Sequence, residues 1–124
     1  MDWVFRADEP IYTQLCEQLA LVIVSGVYAA GERLPPVREL ALDAGVNPNT
    51  VQRALSELER RGLVYSQRTA GRFVTEDAAR IEQARAQLAR DRARDFLGAM
   101  ARLGLDRTQT LARLEQLSGG DAIP

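Results

Sequence analysis

The residues predict a mainly α-helical chain with one small β-hairpin, organised as a helical head that carries the hairpin and a two-helix tail. Three observations carry that reading. Apolar residues recur at helical spacing in three segments before residue 62, each bracketed by proline, asparagine or glycine. A period-two stretch follows from Leu63 to Thr75, around a turn that contains Gly71. From Glu76 the composition shifts to Ala, Arg, Gln and Asp, which favour helix, with no further proline before Pro124.

Taken in order, Pro10 opens the first helix, and Ile11, Leu15, Leu19, Val22 and Ile23 form its apolar face. Ser25-Gly26 ends it, and Cys16 beside the stripe is expected to be a small buried hydrophobe. A turn from Tyr28 leads to Pro35-Pro36, which set up a short second helix from Val37 to Ala44 with Leu40 and Ala41 inward. Gly45 stops that helix. Asn47 is the N-cap of the third helix, Pro48 its first residue, and Val51, Leu55 and Leu58 its core face, with an end near Arg61-Gly62. The tail begins with a helix of about 27 residues, ~40 Å long at 1.5 Å per residue. Its apolar stripe starts with Ala78, Ile81, Ala84 and Leu88 and resumes with Phe96, Leu97, Met100 and Leu103. Gly104 breaks it. Asp106 with Gln109 has the form of a capping box before a last helix bearing Leu111, Leu114 and Leu117, and Gly119-Gly120 and Pro124 are expected to end the chain loosely.

Composition narrows the function. The chain has 124 residues, one cysteine, no histidine and a net charge of −1. A lone cysteine makes no intrachain disulfide, and without histidine nearly every familiar metal site and acid–base scheme is gone, so no metal, no cofactor and no enzymatic activity are expected. The longest apolar run, Leu19 to Val24, is far too short for a bilayer, and the first residues carry no signal peptide, which makes the cytoplasm the expected location. All 16 basic residues are arginine. Charge is unevenly placed: from Arg33 to Thr75 seven arginines face four carboxylates, a local basic zone of the kind that backbone phosphates require.

Two short helices joined by a glycine turn, the second opened by Asn-Pro and followed at once by a hairpin, describe a winged helix-turn-helix. In that arrangement the third helix enters the major groove of DNA. Asn47, Asn49, Thr50, Gln52 and Arg53 stand at its start, away from the core residues. Asn or Gln can bond adenine bidentately, the Thr methyl can pack on thymine, and Arg can bond guanine or phosphate. Arg38 in the second helix is placed for phosphate or base. Arg68 and Arg72 flank Gly71 in a hairpin free of acidic residues from Ser66 to Thr75, suited to lie along phosphates or dip into the minor groove.

Several stretches carry a family resemblance: Pro10-Ile11-Tyr12, Gly26-Val27-Tyr28, Gly31-Glu32-Arg33-Leu34-Pro35, Val37-Arg38-Glu39-Leu40-Ala41, Gly45-Val46-Asn47-Pro48-Asn49-Thr50-Val51, Gly62-Leu63-Val64 and Gly71-Arg72-Phe73-Val74. Over about residues 10 to 78 the chain resembles the DNA-binding domain of the GntR family, and its Asn-Pro-Asn-Thr stretch and short tail resemble the YtrA subfamily. The resemblance implies a bacterial dimeric regulator, usually a repressor, binding a palindromic operator with GT…AC half-sites. It also implies DNA contacts by Arg38, by Asn49, Thr50 and Gln52, and by Gly71 at the wing tip.

The expected division is therefore a DNA-binding head, residues 10–78, and a helical hairpin, residues 79–120, that pairs two chains or regulates them. Leu88, Phe96, Leu97, Met100, Leu103, Leu111, Leu114 and Leu117 offer more apolar surface than a two-helix hairpin can bury against itself, which points to a homodimer interface. Two helices cannot enclose a ligand cavity of about 300 Å³, so an unknown small-molecule effector would have to sit between subunits. Two other readings compete. An aminotransferase-like enzyme, found fused to such heads in one branch of the family, needs a lysine for its cofactor, and the chain has none. A winged-helix module that binds protein instead of DNA would present an apolar third-helix face, and this one is polar.

Overall fold

The computed structural model describes residues 2–120. Its order is α1 (Ile11–Val24), α2 (Val37–Ala44), α3 (Pro48–Arg60), β1 (Val64–Gln67), β2 (Gly71–Val74), α4 (Ala78–Arg102) and α5 (Arg107–Gly120). The chain forms two compact units, the first closing at Ala86 and the second opening at Gln87, a division that falls within α4.

In the first unit, α1 and α2 both pack on α3. Val51, Ala54, Leu55 and Leu58 of α3 meet Leu15, Cys16, Leu19 and Ile23 of α1 and Leu40 and Ala41 of α2 in a core closed to solvent. One expectation for α1 is corrected. Ile11, assigned to the apolar face, is exposed, and Gln14 is buried in the first turn instead. Gln14 takes that position because its amide is occupied by backbone: it accepts from the Arg6 N–H at 2.6 Å and donates to the Arg6 carbonyl at 2.8 Å. A second glutamine, Gln18, pairs with both backbone groups of Val4. The segment before α1 is thereby laid along the helix, and Trp3 reaches α2, its indole N–H donating to Asp43 at 2.8 Å.

Local chemistry sets the helix ends. Pro36 precedes α2, and Gly45 ends it in the left-handed conformation at φ +68°, where any side chain would be strained. Asn47 caps α3, its Oδ1 accepting from the Asn49 N–H at 2.8 Å, with Pro48 in the first turn, where a missing N–H costs nothing.

The hairpin is antiparallel, with Val64 opposite Val74 and Gln67 opposite Gly71. Residues 31–34 run beside β2 as a third extended stretch: Leu34 N–H donates to Arg72 O, and Val74 N–H to Glu32 O. Side-chain alternation turns Val64 and Val74 into the core, while Tyr65 and Phe73 stack on the opposite face, ring centroids 5.5 Å apart.

Along the start of α4, Arg85 donates to the Val24 carbonyl at 2.7 Å, satisfying one of the open acceptors at the end of α1. In the second unit the expected capping box is present: Gln109 N–H donates to Asp106 Oδ1 at 2.8 Å, and Asp106 N–H donates to Gln109 Oε1 at 2.9 Å. One end is corrected. Gly119 and Gly120, expected to be loose, belong to α5; Pro124 lies outside the described residues. No helix among the described residues is long and apolar enough to cross a membrane.

Candidate nucleic-acid interface

The polar face of α3 follows from its core face. With Val51, Ala54, Leu55 and Leu58 turned inward, Asn49, Gln52 and Arg53 are turned outward and exposed, and Thr50 lies half-buried between the two faces. Asn47 is exposed too, but its side-chain oxygen is engaged in the cap, leaving its amide N–H₂ as the outward group. Arg38 stands exposed in the first turn of α2.

The arginines of the head fall into two kinds. Arg60 and Arg61, in the last turn and C-cap of α3, are both tied to Glu57, at 2.6 and 2.8 Å. Those hydrogen bonds hold the Glu57 carboxyl at a pKa of about 2, well below the usual carboxylate value. Arg38 and Arg68 are exposed and make no ion pair with any described residue. An exposed, unneutralised guanidinium is a group that attracts an anion.

Arg53 and Arg72 differ again. The Arg53 guanidinium lies over the Tyr12 ring, 3.9 Å from its centroid, so α1 helps hold this side chain of α3. Arg72 shares the face of β2 that carries Val74, two residues further out, and this turns it toward α3. Its Nη1 donates to Gln52 Oε1 at 3.3 Å. Its Nε is enclosed with no hydrogen-bond partner. Beside it, Gly71 adopts φ +101°, and a Cβ there would meet the Arg33 Nε at 3.2 Å. Glycine at the wing tip is thus favoured by backbone conformation, and the Arg33 side chain would have to shift slightly to admit a Cβ.

The structure therefore brings Asn47, Asn49, Thr50, Gln52 and Arg53 together on α3, with Arg72 joined to them through Gln52. Arg68 and Gly71 belong to the outer end of the wing. Sequence patterning missed Tyr12 and Arg33, because both act through contacts between segments far apart in the chain. Cys16 is buried, as expected; burial pushes its thiol pKa up, and a hydrogen bond with Tyr12 and the charge of Arg61 oppose that.

In the tail, Thr110 is closed to solvent at 1% exposure, its hydroxyl donating to the Asp106 carbonyl at 2.8 Å. The predicted interface residues are open or nearly so: Leu103 is 71% exposed and Leu111 52%, Phe96, Leu97, Leu114 and Leu117 are exposed, and Leu88 and Met100 are half-buried.

Known proteins match this arrangement along the chain. The model of bacterial regulatory proteins of the gntR family matches residues 11–74. The HTH-type transcriptional regulator YhcF of Bacillus subtilis is 36% identical over 120 residues, covering 97% of this chain and 99% of that protein. The HTH-type transcriptional repressor YtrA of the same organism is 41% identical over 73 residues, 59% of this chain and 56% of its own length. A GntR family transcriptional regulator from Listeria monocytogenes superposes with a TM-score of 0.82 at 38% identity, covering 90% of this chain and 98% of that one. The DNA-binding domain of AraR, solved in complex with its operator ORR3, superposes with a TM-score of 0.52 at 29% identity over 60% of this chain and 88% of that one. These relatives are regulators, not enzymes. The chain belongs to the gntR family of bacterial regulatory proteins and is a DNA-binding transcription regulator of the YtrA-like type.

Proposed function

We propose that the protein is a cytoplasmic repressor that binds a palindromic operator as a homodimer, its residues 10–78 reading DNA and its residues 79–120 pairing two chains. The observation that carries the DNA half is the exposed row Asn49, Gln52 and Arg53, backed by fully buried core residues and flanked by the unpaired Arg38 and Arg68. A helix so presented offers base-edge donors and acceptors at its N-terminal turns while the wing and α2 supply phosphate contacts. Asn47, Thr50 and Gly71 complete the contact set, and Arg72 joins it through its hydrogen bond to Gln52. That the DNA-binding domain of AraR, a structural relative, was solved in complex with an operator supports DNA binding by this head.

The open apolar side chains of α4 and α5 support pairing through the tail. Two linked heads on a two-fold operator make the second binding event intramolecular, worth about 10²–10⁴-fold in affinity. A small-molecule effector would then lie between subunits. Selection of the full-length protein on randomised duplex DNA tests this reading. Enrichment of an inverted repeat is expected. Enrichment of single, unpaired sites would reject the paired reading, and no enrichment at all would reject sequence-specific binding.

A further inference from the structure

We propose that Arg72 on the wing is a positioning residue for base readout: it holds the Gln52 amide with its carbonyl toward the wing, so that Gln52 meets DNA as a hydrogen-bond donor. The inference rests on the reading of α3 as the groove helix.

A glutamine on an exposed helix face is free in three side-chain torsions and can present either end of a nearly symmetric amide. Carbonyl and amide nitrogen together suit adenine, whereas the amide nitrogen alone suits the acceptor atoms of guanine. Arg72 removes that choice. Strand alternation places Arg72 on the α3-facing side of β2, and its Nη1 donates to Gln52 Oε1 at 3.3 Å. A guanidinium has five donors and no acceptor, so the reversed amide would set N–H against N–H. With Oε1 turned to the wing, trigonal geometry at the amide carbon turns Nε2 away from it, toward the open side. Gln52 then offers two N–H donors, and the oxygen that adenine N6 would need is turned to the wing, where it accepts from Arg72. Guanine, with N7 and O6 both accepting, is the matching base.

A second observation separates this role from simple structural support. Arg72 Nε is enclosed and makes no hydrogen bond, a cost to the free protein that an apolar side chain of similar length would avoid. The contact that Arg72 does make is the one to Gln52. The link also makes wing and recognition helix one reading unit, although 20 residues separate the two side chains in the chain.

The test uses full-length protein and duplexes in which each position of the selected site is varied in turn, with binding followed by fluorescence anisotropy. The base pair read by Gln52 is the one whose preference disappears in Gln52→Ala. The wild type is expected to favour guanine there by about tenfold. Arg72→Met should lose most of that preference at the same base pair, melt no lower than the wild type, and add nothing to Gln52→Ala at that position. Arg72→Lys, which keeps a donor and lacks an acceptor, should retain part of it. If Arg72→Met weakens all duplexes equally with the base profile intact, Arg72 is a phosphate contact and the proposal fails. A wild-type preference for adenine at that base pair also overturns it. If Asn49→Ala, Gln52→Ala and Arg53→Ala all leave the whole profile unchanged, the groove reading itself is wrong.

Discussion

In the head, Val51, Ala54, Leu55 and Leu58 of α3 and Leu15 and Leu19 of α1 lie out of reach of solvent, whereas in the tail Thr110 alone among the described side chains does so. Both regions are helical and both carry regular apolar stripes. The difference is what each stripe meets. In the head, α1 and α2 both pack on α3 and bury its apolar face. In the tail, one long and one shorter helix leave Leu103, Leu111 and Leu117 more than half exposed. Apolar periodicity therefore predicts that a face will be buried without saying whether the partner is the same chain. A face left open within one chain is the surface that the proposed pairing through the tail would cover.

The largest expected effect breaks this comparison at its core. Leu58→Ala should destabilise the head by about 2–5 kcal/mol, since a fully buried leucine leaves a cavity that packed helices cannot close. Leu114→Ala in the tail should leave unfolding of the head unchanged and instead make association weaker. Urea denaturation at several protein concentrations separates the two: the Leu58 effect is independent of concentration and the Leu114 effect is not. Equal, concentration-independent losses would show the tail to be a self-contained core.

Next is the charged side of the head. Arg38→Ala should reduce operator binding about 10–100-fold, the worth of one or two charge-assisted contacts, with the melting temperature unchanged. Its charge stands in the first turn of α2, where it opposes the helix dipole and adds little stability. Unfolding of the variant, read by circular dichroism, would make Arg38 structural. Arg68→Ala, by contrast, should weaken cognate and scrambled DNA alike and lower the salt slope by about one.

Much of this was legible in the residues, and the reasons are local. The bounds of α2 follow from Pro36 and Gly45, and the caps Asn47 and Asp106 follow from side chains that bond amides two or three residues on. What was not legible depends on distant partners. Residues 31–34 carry turn signals yet pair with β2, and the segment before α1 has no periodicity because Gln14 and Gln18 bind its backbone. Ala54 is fully buried but gives a weak hydrophobic signal. The support of Arg53 by Tyr12 and of Gln52 by Arg72 arises only once α1 and the wing meet α3.

The two caps allow a smaller test of the same contrast. Asn47→Ala should cost the head about 1 kcal/mol, lowering its melting temperature by ~4–8 °C. Asp106→Ala should affect the tail by a similar amount, seen as lost helix content and weaker association with the head transition unchanged.

The smallest effect concerns acid. The Glu57 carboxyl has a folded pKa of about 2 against an ordinary value of 4.5. A depressed pKa means that its stabilising pairing with Arg60 and Arg61 is complete above about pH 4.5 and is lost as pH falls through about 2. The melting-temperature gap between wild type and Glu57→Gln should therefore be constant near neutrality and close over that window. A gap independent of pH down to 2 would show that the pairing contributes nothing.

The central claim, that the head is complete within one chain and the tail is completed by a second, is tested most directly by sedimentation equilibrium of the full-length protein beside a Leu114→Asp, Leu117→Asp variant. The account predicts a dimer for the wild type, and for the variant a monomer whose head melts at the wild-type temperature when both are compared without DNA at low concentration. A wild-type monomer across the micromolar range, or a variant that remains dimeric, would contradict it.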